Sequence, residues 1–315
     1  MPVVLISGGS GLIGTNLTRH LIERNYEVII LSRNKEKVSK KPKISYAHWD
    51  IKSEQVDEIA IRKATHIVHL AGAGVMEKRW REKYKNEIVE SRTKSADLLI
   101  RSLQKLNHKV ECFVSASAIG WYGEDPAPFK RSEGFIESDP PEDSFLGETC
   151  RLWEGSVSPV EDMGIRLVKL RTGIVLSNDG GAYKEYVGPL KFGIAPILGG
   201  GKQVVSWIHI EDICRMYIYA LENTEMEGSY NAVAPHPVSQ KKLILEAADA
   251  IKNKFYIPVH VPPFLLKLAL GDRSTEVLKS ATVSDIKIKL SGFTFLYPSL
   301  QAAINELTKK NNSAS

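Results

Sequence analysis

Short runs of β-branched and aliphatic residues alternate with longer amphipathic stretches through the first two-thirds of the chain. The runs that predict strands are Val3–Ser7, Glu27–Leu31, His66–Leu70, Cys112–Ser115 and Arg166–Leu170. Helical periodicity between them is clearest over Thr15–Arg24 and Lys85–Leu106. Continuous apolar strands separated by helices are typical of a parallel sheet that is covered on both faces. The pattern therefore predicts an α/β fold with a doubly wound parallel sheet of the Rossmann type.

The alternation changes after residue 176. Gly180–Lys202 contains nine glycines or prolines among few charges, which predicts a lobe or lid. A strand-then-helix pattern returns over Trp207–Leu221, and a further strand, Ile257–Val261, precedes a helical tail ending near Leu307. We predict a sheet domain and a smaller, partly interleaved C-terminal substrate lobe, followed by a disordered tail. Their predicted bounds are 1–176 with about 204–235, 177–203 with 236–310, and 311–315.

The composition of the 315 residues, 43% hydrophobic and 25% charged, is that of a soluble globular protein. The densest charged stretch, Glu77–Lys94, mixes both signs, which indicates a solvated helix face and argues against a nucleic-acid partner. No run approaches the roughly 18 apolar residues of a membrane span, so we expect no membrane partner. Because Val3–Ser7 already has the pattern of a buried strand, we expect no signal peptide.

The three cysteines, Cys112, Cys150 and Cys214, are odd in number and far apart. This spacing is typical of reduced thiols, and it predicts a cytoplasmic protein. No group of His, Cys, Asp or Glu has the spacing of metal ligands, so we predict no metal.

A glycine loop, Gly8-Gly9-Ser10-Gly11-Leu12-Ile13-Gly14, lies directly between the first strand and the first helix. Gly8 allows a sharp turn, Gly11 lets backbone amides approach a pyrophosphate, and Gly14 lets the helix pack close to the strand. The N–H groups of Leu12 and Ile13 and the positive end of the helix would face the phosphates. The loop predicts a dinucleotide site, with a glycine-rich turn without ligand as the alternative.

The end of the second strand reads Leu31-Ser32-Arg33-Asn34-Lys35, without a carboxylate before Glu36. An NAD enzyme usually carries an acid here to accept the ribose 2′-hydroxyl. A hydroxyl and a guanidinium instead suit a 2′-phosphate. We predict NADP(H) as the cofactor, with a solvated basic loop indifferent to the phosphate as the alternative.

The Gly8/Gly11/Gly14 spacing resembles that of the extended short-chain dehydrogenases/reductases, which include nucleotide-sugar epimerases and dehydratases. Three further runs are similar to motifs of that group. Asp50-Ile51 resembles the pair that contacts adenine, and His69-Leu70-Ala71-Gly72 resembles the turn at the end of the fourth strand, which lies against the cofactor. Trp207–Asp212 resembles a later strand-to-helix motif. A closer similarity is to the branch of epimerase family proteins. The shared runs are Ser91-Arg92, Arg171–Leu176, Ser206–His209 and, in a short C-terminal domain, Gly292–Leu300.

This resemblance implies NADP(H) binding. The implied contacts are Ser32, Arg33, Leu70, Ala71, Gly72, Glu87 and Arg92. For Arg92 the alternative is a helix-surface charge paired with Glu87 or Glu90.

Active members of the larger group use a Ser and a Tyr-x-x-x-Lys pair. The similarity of Phe113–Ala118 to their motif places Ser117 at the catalytic position, with a small residue at a strand end as the alternative. The pair is absent, because anchoring on Glu154 puts Leu146 at the tyrosine and Cys150 at the lysine position. Tyr122 is then the candidate proton donor. The predicted substrate cleft includes Trp121, Trp207 and His209, although the favoured interpretation of His209 is a histidine hydrogen-bonded at the sheet edge.

The sequence thus predicts an NADP(H)-dependent, epimerase-like oxidoreductase acting on a small-molecule substrate that is polar or nucleotide-linked. The alternative is a non-catalytic NADP(H)-binding regulatory protein, for example one linked to cell division. The resemblance also implies a homodimer built on Lys85–Leu106 and Phe145–Met163, and the patterning fits a monomer equally well.

Overall fold

The computed structural model describes residues 1–126, 134–252 and 255–313. The strands in these ranges are β1 Val3–Ser7, β2 Glu27–Ser32, β3 Ile44–Asp50, β4 Gln55–Val56, β5 His66–His69, β6 Cys112–Ala118, β7 Arg166–Thr172, β8 Ile174–Leu176, β9 Ile194–Leu198, β10 Val204–Val205, β11 Trp207–His209, β12 Gly228–Ala232, β13 Val238–Ser239 and β14 Ile257–Val261. The α-helices are α1 Leu12–Glu23, α2 Glu58–Lys63, α3 Glu82–Lys105, α4 Phe145–Val157, α5 Gly181–Val187, α6 Ile210–Glu222, α7 Gln240–Lys252, α8 Pro263–Leu270, α9 Ser274–Leu278, α10 Ile286–Leu290 and α11 Leu300–Ser313. In these ranges no helix is long and apolar enough to cross a bilayer.

The central sheet joins eight of the described strands in the order β12-β7-β6-β5-β1-β2-β3-β4. Its strands are parallel except for β4, which runs antiparallel to β3. The chain winds outward from β1 in one direction through β2 and returns to the other side of β1 with β5. The gap between the carboxyl ends of β1 and β5 is therefore the topological switch point, where such sheets bind ligands. The predicted doubly wound parallel sheet is confirmed.

Alternate residues of the central strands enter two separate cores. Val4 and Ile6 of β1 pack with Leu17 and Leu21 of α1 on one face. Leu5 packs on the other face, among residues of α2 and α3. All of these side chains are completely buried. Because both faces are covered, the strand reads as one apolar run, which is the pattern that identified it in the sequence.

Three strands of the sheet, β3, β4 and β12, do not appear among those predicted, and β4 is only two residues long. In β3 the buried positions Ala47 and Trp49 alternate with half-buried or exposed ones, such as Ser45 and His48. In β12 burial is complete only toward the carboxyl end. Strands near the edges of a sheet are covered less evenly, so their sequences lack the continuous apolar run of the central strands.

A third core lies in the C-terminal part of the chain. Leu176, Tyr183 and Trp207 pack there with Leu243 and Ile304, together with other buried residues from the same segments. This core therefore draws on stretches that precede and follow β12 in the chain. Of the predicted tail 311–315, residues 311–313 belong to α11, and residues 314 and 315 lie outside the described part of the chain.

The aromatic C-terminal motif is fastened to the start of α6. The Asp212 carboxylate accepts hydrogen bonds from the backbone N–H groups of Leu296 (2.7 Å) and Tyr297 (2.8 Å). The Tyr297 ring lies 4.1 Å from the ring of His209, centroid to centroid. Asp212 is completely buried, so these charge-assisted bonds hold the motif against the sheet domain.

Candidate functional site

The glycine loop after β1 has no room for side chains at three positions. Gly8 has a φ of +73°, and a Cβ there would lie 2.7 Å from the carbonyl carbon of Leu70. A Cβ on Gly9 would meet Ile30 Cγ2 at 2.7 Å, and one on Gly14 would meet the Gly8 carbonyl oxygen at 2.5 Å. The roles predicted for Gly8 (a turn) and Gly14 (close packing of the helix) therefore agree with the structure.

The amino terminus of α1 is open toward the switch point. Gly11, the residue before the helix, is exposed and supplies no side-chain cap. The N–H groups of Leu12, Ile13 and Gly14 belong to the first turn, which has no intrahelical acceptors. A Cβ on Gly11 would approach only the Gly8 oxygen, at 3.3 Å. The fold thus leaves backbone donors and the positive end of the helix available to a phosphate.

The ends of β2 and β3 lie side by side next to this loop, with Ser32 paired to His48. The Ser32 hydroxyl accepts a hydrogen bond from the Asn34 N–H (3.1 Å), and Arg33 is exposed. Asp50 ends β3, and its carboxylate accepts the Lys52 N–H (2.9 Å), which holds the pKa of Asp50 below its usual range. Ile51 follows, half-buried. The structure therefore brings these four predicted contacts to one edge of the sheet.

The end of β5 is organised by a buried histidine. The His69 ring shares hydrogen bonds with the hydroxyls of Ser7 (2.7 Å, at Nδ1) and Ser95 (3.3 Å, at Nε2). Burial lowers the pKa of His69 to about 4, so the ring is neutral at pH 7. Ser7 also accepts the Ala71 N–H at 3.4 Å. This network positions the turn from Leu70 to Gly72 without placing a charge there.

Arg92 lies behind that turn and is only 8% exposed. Its Nη1 donates to the carbonyl oxygens of Ala73 (3.0 Å) and Ile88 (2.8 Å). Its guanidinium lies 4.7 Å from the ring centroid of Trp153, and its Cζ is 3.0 Å from where a Cβ on Gly72 would be. Among the described residues no carboxylate pairs with Arg92, and its Nε and Nη2 donate no hydrogen bond.

The alternative for Arg92, a surface charge on a helix, is therefore wrong. The acids named as its partners pair elsewhere, Glu87 with Lys78 (3.2 Å) and Glu90 with Lys94 (3.0 Å). Glu87 itself is exposed.

Ser117, at the end of β6, belongs to a buried polar network. Its hydroxyl donates to Glu154 Oε1 (2.7 Å), and Arg171 donates to both oxygens of the same carboxylate (2.8 and 3.0 Å). Arg171 Nη1 also donates to the Tyr122 hydroxyl (3.0 Å), which in turn donates to Asn231 Oδ1 (2.7 Å). Sequence reasoning did not identify the Glu154–Arg171 pair, although both residues lay within quoted motifs.

Three residues expected at an open cleft lie inside packed regions. Tyr122 is completely buried, which raises its pKa to about 12. Trp207 is also completely buried, and its indole donates to the carbonyl of His236 (3.0 Å). His209 accepts the Glu211 N–H at Nδ1 (3.2 Å), as a cap of α6. The expectation that Trp207 and His209 line the cleft surface is thus corrected, because each is part of a core. Trp121 is half-buried.

Leu146 and Cys150 face the end of β6 from α4. A Cβ on Gly120 would lie 3.4 Å from Leu146 Cβ and 3.7 Å from Cys150 Sγ. The Cys150 thiol donates to the Ala118 carbonyl (3.7 Å), and burial raises its pKa to about 12. The two positions of the missing Tyr/Lys pair thus hold an alkyl group and a neutral thiol.

An aromatic contact that the sequence did not suggest closes one side of this region. The ring of Trp80 meets that of Phe145 edge-on at 5.0 Å, and its indole donates to the carbonyl of Val75 (2.7 Å). The only signal was a tryptophan within the densest charged stretch of the chain. Within the ranges described, no group of three His, Cys, Asp or Glu side chains is arranged to hold a metal ion.

Comparison with known proteins finds relatives along nearly the whole chain. Residues 4–144 match the model of the NAD dependent epimerase/dehydratase family, and residues 261–307 match a domain of unknown function, DUF1731. Epimerase family protein SH2119 of Staphylococcus haemolyticus is 35% identical over 98% of this chain and 99% of its own. Epimerase family protein YfhF of Bacillus subtilis is 33% identical over 96% and 97%.

A solved structure resembles the whole molecule. The human epimerase family protein SDR39U1, crystallised with NADPH, superimposes with a TM-score of 0.84 at 26% identity. The match covers 98% of this chain and 99% of that one. Both the Rossmann-type sheet and the C-terminal lobe thus have counterparts in a protein that binds a nicotinamide dinucleotide.

Proposed function

This chain belongs to the NAD-dependent epimerase/dehydratase family, and from that premise we propose that it is an NADP(H)-dependent oxidoreductase acting on a small molecule. The observation that carries the proposal is the end of β2, where Ser32 and the exposed Arg33 stand beside the glycine loop with no acid before Glu36. A carboxylate there would repel a 2′-phosphate, whereas a guanidinium can bind it through paired, charge-assisted hydrogen bonds. The NADPH in the human relative supports the same choice.

The other strand ends fit the rest of the dinucleotide. The donors of Leu12, Ile13 and Gly14 would hold the pyrophosphate, and Asp50 with Ile51 would border the adenine. Such cofactors cross the carboxyl ends of the sheet at the switch point. The nicotinamide half would therefore lie beyond β5, toward Leu70, Ala71 and Gly72.

Arg92 fits that half chemically. A buried guanidinium without a carboxylate is costly, and its remaining N–H groups at Nε and Nη2 suit the oxygens of an anionic or polar ligand. We assign it to the cofactor on that ground, together with its place behind Gly72. Glu87 lies five residues before Arg92 on α3 and is the other contact on this helix that the resemblance implies. Its side chain is exposed, so packing fixes its position less than that of Arg92.

Bound NADP(H) supplies a hydride donor or acceptor at its nicotinamide ring. The chain's own residues would orient it. We place the substrate between the end of β6 and the C-terminal lobe. Ser117 retains the lone pairs of its oxygen as acceptors, because its proton is donated to Glu154. Tyr122 remains a prediction as a catalytic group, and its hydroxyl is held within the network of Arg171 and Asn231.

The proposal is tested by calorimetric titration with NADPH and NADH of the wild type and the Arg33→Ala variant. Loss of a charge-assisted phosphate contact should weaken NADPH binding by about 1.5–3 kcal/mol, roughly ten- to hundredfold, and leave NADH unchanged. Arg62→Ala is the control, because Arg62 is an exposed arginine paired with Glu58 on α2. Binding of neither nucleotide would contradict the proposal. NADPH that binds but is never oxidised by any acceptor would favour the regulatory alternative.

A further inference from the structure

The proton donors at the end of β6 are all committed to acceptors inside the protein. The Ser117 hydroxyl donates to Glu154, the Tyr122 hydroxyl to Asn231, and the Cys150 thiol to the Ala118 carbonyl. A general acid must hold its proton within hydrogen-bond reach of the reacting atom. While these bonds hold, these three described groups do not direct a proton toward a substrate.

The surface that borders the same point is apolar and aromatic. Phe145 and Leu146 are the first two residues of α4, and Ile119 directly follows β6. All three side chains are half-buried. Trp80 lies edge-on against Phe145 from the loop after β5, and Met76 of that loop is 39% exposed. A ligand ring resting here would contact hydrocarbon and aromatic faces, which favour flat unsaturated molecules, and would lie near the Lys85 ammonium, which is 5.3 Å from the centroid of the Phe145 ring.

We propose that this surface, defined by Trp80, Phe145, Leu146 and Ile119, binds a planar conjugated ring of the quinone or flavin type as the hydride acceptor. The inference rests on the proposed NADP(H) function and names the substrate class of the same site. The proposed ring differs from a sugar substrate, because the hydroxyl or ketone of a sugar requires an acid or base from the protein.

The chemistry of such rings fits a site where the hydroxyls of Ser117 and Tyr122 and the thiol of Cys150 donate to acceptors inside the protein. The ring gains two electrons and one hydrogen as hydride, NADPH is oxidised to NADP⁺, and one proton comes from water. The negative charge of the reduced ring is spread over its conjugated system, so protonation can follow the transfer. An isolated ketone would instead become a localised alkoxide, which requires an acid in the transition state.

The first test measures binding without turnover. Wild-type protein is saturated with NADP⁺ and titrated by calorimetry with menadione, a naphthoquinone, and separately with oxidised FMN. We expect one of the two rings to bind, and the two arms identify which. The Leu146→Asp variant should bind that ring at least ~10-fold more weakly, because a carboxylate would be desolvated against it. NADP⁺ affinity should stay within twofold of wild type.

The control variant is Leu290→Asp, since Leu290 is an apolar residue that is 82% exposed on α10. Its ring affinity should equal that of the wild type. Trp80→Ala is a second site variant, for the case in which Leu146→Asp fails to fold, as shown by loss of NADP⁺ binding. It should weaken ring binding by a similar factor, because a stacking surface is lost.

A second measurement follows NADPH absorbance in a single turnover with the ring and with a simple ketone. We expect oxidation by the ring at a rate that does not fall as the pH rises from 6 to 9. A rate that falls with the titration of a protein acid, or a faster reaction with the ketone, would overturn the inference. So would equal ring binding by Leu146→Asp and wild type, or NADP⁺ binding with no binding of either ring. If NADP⁺ itself does not bind, the proposed function falls as well.

Discussion

Replacing Glu154 with glutamine should destabilise the fold strongly, because Glu154 carries the charge that balances buried Arg171. The Glu154→Gln side chain keeps the shape of the original and removes only the negative charge. Glu154 accepts hydrogen bonds from Ser117, Arg171 and Ser229, the last at 3.2 Å. Both members of the ion pair are buried, with 3% of the Arg171 side chain and 7% of the Glu154 side chain exposed.

The expected magnitude follows from that burial. Removing one partner of a buried pair leaves the other charge desolvated, which costs about 3–5 kcal/mol. Domains are stable by only about 5–15 kcal/mol, so the variant should lose roughly a fifth or more of its free energy of unfolding. Arg171 also donates to the carbonyl of Glu137 (3.0 Å) and lies over the Trp121 ring (3.7 Å). Those contacts remain and keep the guanidinium in place without neutralising it.

The assay is urea denaturation followed by circular dichroism, with a double-mutant cycle that includes Arg171→Met. The double variant should be less destabilised than the sum of the single ones by at least ~2 kcal/mol, since it leaves no unpaired charge. The control is Glu148→Gln in the same helix. Glu148 pairs with Arg151 at 2.6 Å, but both side chains are about half exposed, so its midpoint should match wild type. A small loss for Glu154→Gln, or equal losses at the two sites, would refute the reasoning.

Three further predictions concern the glycine loop, the buried histidine and the C-terminal motif. Gly14→Ala should reduce NADPH affinity measured by calorimetry, because a Cβ at 2.5 Å from the Gly8 oxygen overpacks the loop at a cost of about 1–3 kcal/mol. The control Gly155→Ala should leave the affinity unchanged, because a Cβ there has nothing within 4 Å. Burial lowers the pKa of His69 to about 4, so the stability it contributes is present above pH 6.5 and is lost as the pH falls toward 4. That loss, up to about 3 kcal/mol in urea titrations, should disappear in His69→Gln. Asp212→Ala should cost about 3 kcal/mol and expose the segment around Tyr297 to limited proteolysis, since two backbone N–H groups lose a buried, charged acceptor. A proteolysis pattern like that of wild type would contradict this last expectation.

The sheet and the glycine loop were predictable because their signals are local. β1 is a continuous apolar run covered on both faces, and Gly8 and Gly14 stand where any side chain would collide with backbone. Each requirement is met by residues within one strand–turn–helix unit. The strands β3, next to the edge, and β12, at the edge, were missed because several of their side chains face less crowded surroundings.

The burial of single polar residues was not predictable in the same way. Arg92 lies on a helix whose surface is crowded with charges, so the sequence alone allowed it to be one of them. Its burial depends on Gly72 and Trp153, which come from elements distant in the chain. Similarly, Trp207 and His209 are the two ends of β11, and residues of the C-terminal part of the chain pack over both. Periodicity gives the side of an element on which a residue lies, and only the tertiary packing decides what covers it.

Tertiary packing also decides whether another residue can replace the missing Tyr/Lys pair. A tyrosine elsewhere could have compensated for Leu146 only by presenting a free hydroxyl to the strand end. Tyr122 lies four residues after the end of β6, but its hydroxyl already bonds to Arg171 and Asn231. Burial also raises the pKa of Tyr122 to about 12. Releasing that proton would break a network that also balances Glu154. The network therefore stabilises the strand ends and keeps the Ser117 and Tyr122 hydroxyls bonded to groups of the protein. For that reason the substrate we propose accepts a hydride on an apolar surface and takes its proton from water.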